Sequence, residues 1–125
     1  MKKKPVTTAK APGAIGPYSQ GVSAGEFVFV SGQIPAGLDG ALVEGGAAEQ
    51  TEQSLNNVLN VLLAAGLSMN DVVKTTVFMT DLGQFAAMNE VYAKRFQAPF
   101  PARATVQVSA LPKGALVEIE AIAVR

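Results

Sequence analysis

Apolar residues at Leu55, Val58, Leu59, Leu62 and Leu63 follow the i, i+3, i+4, i+7, i+8 spacing of one helical face and predict a helix over Ala47 to Ala65. Gly66 falls where a left-handed residue would stop it. A second stripe, Phe85, Met88, Tyr92 and Phe96, predicts another helix. Asp81 would cap it with Gln84 as an approximate capping-box partner, and Pro99 and Pro101 would end it. Phe27-Val28-Phe29-Val30 reads as a strand ending at Ser31-Gly32-Gln33. Val72 to Thr80 alternates, with Val73, Val77 and Met79 on one face and Lys74, Thr76, Phe78 and Thr80 on the other. Two further strands lie on either side of Leu111-Pro112-Lys113-Gly114. Thr8 to Gly21, rich in Gly, Pro and small residues, reads as an ordered loop, and Ala36 to Gly40 as a turn. This order predicts an α+β domain over residues 1–125, a mixed sheet with two helices on one face. The opposite face needs a partner.

Composition sharpens that last point. Of the 125 residues 49% are hydrophobic and only 16% charged, a balance that leaves apolar surface to be covered by subunit contacts. No run reaches the roughly 18 apolar residues of a membrane span, because Asn60 interrupts the most apolar window, Val58 to Leu67. Ten basic and ten acidic residues cancel, which argues against binding a nucleic-acid backbone. Cys and His are both absent, which removes disulfides, thiol nucleophiles, Ser-His-Asp triads and the common zinc sites. The basic start, Met1-Lys2-Lys3-Lys4-Pro5, has no apolar core after it and reads as a solvated terminus rather than a secretory signal.

The remaining chemistry rests on a few residues. Arg103 follows Phe100-Pro101-Ala102 at the start of a strand, and its planar fork suits a ligand carboxylate. A structural ion pair with Glu118 or Glu120 is the competing assignment. Those two glutamates lie two apart on a strand, on one face and about 7 Å apart, and share that face with Leu116, Ile122 and Val124. A carboxylate in that company is partly desolvated, with its pKa raised if unpaired, and could hold a water. Tyr18 and Ser31 sit in glycine-flanked segments where backbone can approach a ligand, or in ordinary turns. Asn89 falls within the Phe85–Tyr92 stripe, where its amide either ties the helix to a loop or lines a pocket. No dinucleotide or phosphate-loop fingerprint is present. An intrinsically labile substrate, polarised and met by water, is the natural match.

Longer stretches carry a resemblance. Ala11-Pro-Gly-Ala-Ile-Gly-Pro-Tyr-Ser-Gln-Gly21, Ser31-Gly-Gln-Ile-Pro35, Asn56-Asn-Val58 with Ala64-Ala-Gly-Leu67, Val73-Lys-Thr-Thr-Val-Phe78, Phe100-Pro-Ala-Arg103, Leu111-Pro-Lys113 and Val117-Glu-Ile-Glu-Ala-Ile-Ala123 together resemble the Rid (reactive intermediate/imine deaminase, YjgF-like) family. The resemblance implies a chorismate-mutase-like fold, a homotrimer with a central barrel, and active sites between subunits. It implies hydrolysis of enamines and imines such as 2-aminoacrylate and 2-iminopropanoate to 2-keto acids and ammonia, in the cytoplasm, with no cofactor or metal. It gives Arg103 the substrate carboxylate and Glu118 the attacking water, with Tyr18, Ser31, Gly32, Asn89 and Thr105 around the substrate. Thr105 stands where many members carry Cys. The alternatives are a non-catalytic trimeric module sensing 2-keto acids and, more remotely, an RNA-directed activity.

Overall fold

Helix α1, Ala47–Ala64, begins where the Gly46 N–H donates to Glu49 Oε1 at 2.8 Å and ends at Ala65 and Gly66, the latter left-handed with φ 79°. The computed structural model describes residues 2–125, so the Met1 end of the expected basic terminus lies outside the described residues. The buried stripe of α1 runs through Thr51, Ser54, Leu55, Asn57, Val58, Val61 and Leu62. Leu63, expected on that stripe, is exposed, and Leu59 is only half-buried. The polar Thr51, Ser54 and Asn57 occupy buried positions, so counting apolar residues alone rotates the apparent stripe away from its true centre.

Six strands form one sheet: β1 Lys3–Val6, β2 Gly21–Ala24, β3 Phe27–Gln33, β4 Val72–Met79, β5 Ala102–Gln107 and β6 Val117–Val124, in the order β1-β2-β3-β6-β4-β5. Every pairing is antiparallel except β4 with β5, which run parallel. Helix α2, Phe85–Arg95, is the crossover between those two. Both helices pack on one face of the mixed sheet, over a core that includes Val28, Leu55, Val58, Leu62, Val77, Met88, Val117 and Ile119.

The details depart from expectation at four further points. Lys3–Val6 is an edge strand paired with β2, not a solvated tail. Its lysines project from an edge, where such charges discourage further pairing, and only Val6 is buried. Val73 is exposed whereas Val72 is buried, because a register shift between Val72 and Lys74 inserts one residue and reverses the alternation before Thr75, Val77 and Met79 turn inward. Asp81 caps a short 3₁₀ turn, Leu82–Gln84, by accepting from Gly83 N–H at 2.8 Å, and Gln84 makes no capping bond. Phe85 is partly exposed, whereas Met88, Tyr92 and Phe96 are buried.

Candidate active site

Arg103 and Glu118 point to opposite faces of the sheet. Arg103 is opposite Thr75 on β4, and Thr75 is buried toward the helices. Glu118 is opposite Phe78, on the open face. Strand β4 lies between them, so they are two strand spacings apart across the sheet, roughly 10 Å, three residues apart along it, and on different sides. No ion pair joins Arg103 to Glu118 or Glu120 among the described residues. The chain therefore presents two half-sites.

The first half-site is built on α2 and β5. The Arg103 guanidinium lies over the Tyr92 ring, 4.7 Å from its centroid, and 5.4 Å from that of Phe85. Its Nη1 donates to Asn89 Oδ1 at 2.7 Å. The partial exposure of Phe85 thus has a use: its ring serves the arginine rather than the core. Tyr92 is buried, and its hydroxyl shares a 2.7 Å hydrogen bond with Thr75 Oγ1. Burial pushes the Tyr92 hydroxyl up in pKa, with the Thr75 bond and the Arg103 charge opposing. Held by aromatic faces and one amide, the arginine is pre-organised while its remaining edge stays exposed. Thr105 is opposite Val77 on the same side, and its buried hydroxyl has no partner. Of the residues expected around the substrate, Arg103 and Asn89 are joined here by a hydrogen bond, and Thr105 lies two positions along β5 on the same side.

The second half-site is a cavity of about 700 Å³ lined by residues from the 12–20 loop, the 32–40 segment, Pro112, Lys113 and Glu118. It brings together Tyr18, Gly32 and Glu118. The Glu118 side chain folds directly over Gly32: a Cβ added there would stand 2.9 Å from Glu118 Cδ and closer still to Oε2. Burial raises the Glu118 carboxyl above the ordinary 4.5, and the charge of Glu120 adds to the shift. Ser31 does not line this cavity; its hydroxyl donates to the Ser19 carbonyl at 2.5 Å, and its N–H to the Gln20 carbonyl at 3.0 Å. In the single chain Ser31 fastens the loop that carries Tyr18.

Several residues that organise these half-sites had not been singled out. Gln20 is buried; its Oε1 accepts from Thr8 N–H, and its Nε2 points to the carbonyls of Thr8, Ala11 and Pro12. Asn57 Nδ2 donates to the Ile34 and Ala36 carbonyls at 3.1 and 2.9 Å, which fastens the far wall to α1. Gln50 Oε1 accepts from Leu116 N–H at 2.7 Å, two residues before Glu118. The available signal was an amide side chain beside an irregular segment, where unpaired backbone groups need partners. Among the described residues no three His, Cys, Asp or Glu side chains gather into a metal-binding group, and no helix is long and apolar enough to cross a membrane.

Fold and site define a class: small α+β proteins with two helices on a six-stranded mixed sheet, an arginine fork on one face and a carboxylate-bearing cavity on the other. The endoribonuclease L-PSP family model matches residues 8–125, and the chain belongs to that family, the YjgF-like or Rid proteins. The human protein named 2-iminobutanoate/2-iminopropanoate deaminase is 50% identical over 126 residues, spanning 98% of this chain and 90% of the human one. The crystal structure of Escherichia coli TdcF with bound serine superposes with a TM-score of 0.92 at 51% identity, covering 98% of each chain. RidA from the Antarctic bacterium Psychrobacter gives 0.93 at 47%, covering 98% of this chain and 99% of its own.

Proposed function

We propose that this chain is an imine deaminase, a hydrolase that converts 2-aminoacrylate, 2-iminopropanoate and 2-iminobutanoate to 2-keto acids and ammonia. Relatives about half identical over nearly the whole chain bear that activity in their names. The observation that carries the chemical reading is Glu118: a half-buried carboxylate with a raised pKa, seated over a glycine in a cavity with Tyr18. Arg103 takes the substrate carboxylate on its free edge, and TdcF with bound serine supports a ligand of amino-acid type. Glu118 holds a water against the imine carbon, takes its proton as the C–O bond forms and the C=N π pair moves to nitrogen, and returns that proton to the nitrogen. In the resulting carbinolamine the hydroxyl proton passes through Glu118 to the amine, the C–N bond breaks to release ammonia, and the C=O bond forms. Alignment of water and substrate suffices for so labile a bond. No cofactor enters the scheme.

The two half-sites face opposite ways, so one copy supplies Arg103, Asn89 and Thr105, and a neighbour supplies Glu118, Gly32 and Tyr18. Ser31 acts through the Tyr18 loop. We read the assembly as a homotrimer of chorismate-mutase-like subunits, the open faces forming a central barrel. The exposed Phe27 and Phe29, 47% and 44% accessible in the single chain, support a covered face. The reading places the protein in the cytoplasm as one domain, bound to neither nucleic acid nor membrane.

The test couples a serine dehydratase, as a source of 2-aminoacrylate, to timed pyruvate release. Wild type accelerates release, whereas Arg103→Ala leaves the uncatalysed rate. Glu118→Gln lowers the rate more than the apparent affinity. Mixing the two variants one to one before assembly restores about a quarter of the sites in a ring where each site draws on two copies. Mixed oligomers without recovered activity would place the whole site within one chain. A folded wild type that binds 2-keto acids without accelerating release would instead be a sensing module, which needs Arg103 but not Glu118. Steeply salt-dependent RNA binding would overturn both.

A further inference from the structure

Lys113 has no part in the chemistry above, yet its backbone is unusual. It is the one non-glycine residue with positive φ among those described, at φ 60° and ψ 16°, and Gly114 follows at φ 74°. A side-chain-bearing residue adopts that conformation only where its surroundings hold it there. Here a tight turn holds it: Gly114 N–H donates to the Leu111 carbonyl at 3.2 Å and Ala115 N–H to the Pro112 carbonyl at 3.1 Å. Lys113 Nζ donates to the carbonyl of Gly40, 73 positions earlier in the chain. Gly40 is itself left-handed at φ 84°, which turns its carbonyl toward the lysine.

The bond closes a flap over the Glu118 cavity. Residues 34–43 form a small hairpin: Val43 N–H donates to the Pro35 carbonyl at 3.0 Å, and Ala36 bridges Leu42. Its tip is braced from within by Gly40 N–H to the Gly37 carbonyl and by Ala41 N–H to Asp39 Oδ1, both at 3.0 Å. Asn57 pins the base through two carbonyls. Among the described residues, Lys113 alone ties the tip to the opposite rim of the cavity by a hydrogen bond. The flap contributes the half-buried Ile34 and, at its exposed tip, Leu38 to the cavity lining. In the single chain this cleft has a volume of about 700 Å³, so even with a neighbour covering part of it the flap side leaves room beyond a three-carbon imine.

We propose that Lys113 is a positioning residue that latches the 37–40 tip, and that the latched wall makes this chain select imines with larger apolar side chains. The proposal rests on the deaminase reading and deepens it. A short imine reacts at Glu118 and Arg103 without touching the flap. A branched one gains its extra affinity from the Ile34–Leu38 wall, and only while the tip is held.

The experiment compares wild type with Lys113→Met, Lys113→Gly and Lys113→Arg, on imines generated by an amino-acid oxidase from alanine and from leucine. Glycine suits the backbone at this position, so Lys113→Gly removes the latch without compromising folding. Both Met and Gly variants should lower kcat/KM for the leucine-derived imine about tenfold relative to the alanine-derived one, the worth of a lost hydrophobic contact. Arginine, which keeps a donor of similar reach, should restore most of the ratio. Amide hydrogen exchange at residues 37–42 should quicken in Met and Gly and recover in Arg. An unchanged ratio overturns the proposal, whether or not exchange quickens, and so does an equal loss on both substrates. If wild type turns over neither imine, the deaminase reading fails instead, and the exchange contrast then reports on the latch alone.

Discussion

Gly32→Ala isolates the Glu118 carboxylate from everything else in the fold. The backbone at Gly32 is not left-handed, so alanine is admissible there and the perturbation is purely steric. The added Cβ would stand 2.9 Å from Glu118 Cδ and 3.3 Å from Cγ. The backbone of β6 is fixed by its neighbours β3 and β4, so the side chain must give way instead. Rotating it off its well costs about 0.5–1.5 kcal/mol. Replacing glycine returns about 0.4–1 kcal/mol through the unfolded chain. The two nearly cancel, and thermal stability should stay within about 1 kcal/mol of wild type. Activity should not survive so well. A carboxylate displaced by about 1 Å from its water-holding position loses on the order of 100-fold in kcat. Calorimetric melting and the dehydratase-coupled assay read the two quantities separately. Adding Glu118→Asp, which withdraws the carboxylate by one methylene, should make the double variant less impaired than the sum of the singles. A Gly32→Ala protein within twofold of wild-type kcat would mean that Glu118 does not work from the position over Gly32.

The raised pKa of Glu118 gives a stability effect with a definite sign. A carboxyl raised above its unfolded value favours the folded state only while protonated, so the folded protein is penalised as pH rises past 4.5. Glu118→Gln should therefore stabilise the protein at neutral pH, and the gain should vanish as pH falls below 4.5; equal stabilisation at pH 3 and pH 7 would contradict the desolvation argument. Tyr92→Phe keeps the ring beneath Arg103 but leaves the buried Thr75 hydroxyl unpaired, at about 1–3 kcal/mol in a denaturant melt, with KM for imine little changed. A large rise in KM would assign the hydroxyl, not the ring, to holding Arg103.

What the sequence disclosed follows from what period and composition can encode. The two helices, the β4 strand and the α+β class were legible because each buries a periodic face. Val73 was misplaced because a one-residue register shift leaves no mark in the pattern yet reverses every later side chain. β1 was invisible because only Val6 of its four residues is buried. Arg103 and Glu118 stood out as charges in apolar strands. Their placement on opposite faces depends on strand order, and nothing local specifies that β6 inserts between β3 and β4. The loop scaffold was hidden because Gln20, Gln50 and Asn57 act on backbone groups of segments far away in the chain.

That scaffold also explains how the protein can hold so little charge. The buried polar side chains are Gln20, Gln33, Gln50, Thr51, Ser54, Asn57 and Thr75, and none of them ionises. Neutral amides lose less on leaving water than charged groups do, and each hydrogen bond to a loop carbonyl offsets part of that loss. The pinning of the flap base by Asn57 and the fastening of the Tyr18 loop are thus made by groups that do not ionise. Arg103 on its aromatic bed and Glu118 over Gly32 are the ionisable groups to which the proposed reaction is assigned. Removing Asn57 or Gln50 should shift the geometry and lower the rate without moving the pH at which activity is half-maximal, whereas a change at Glu120 should move that pH, because its charge adds to the raised pKa of Glu118.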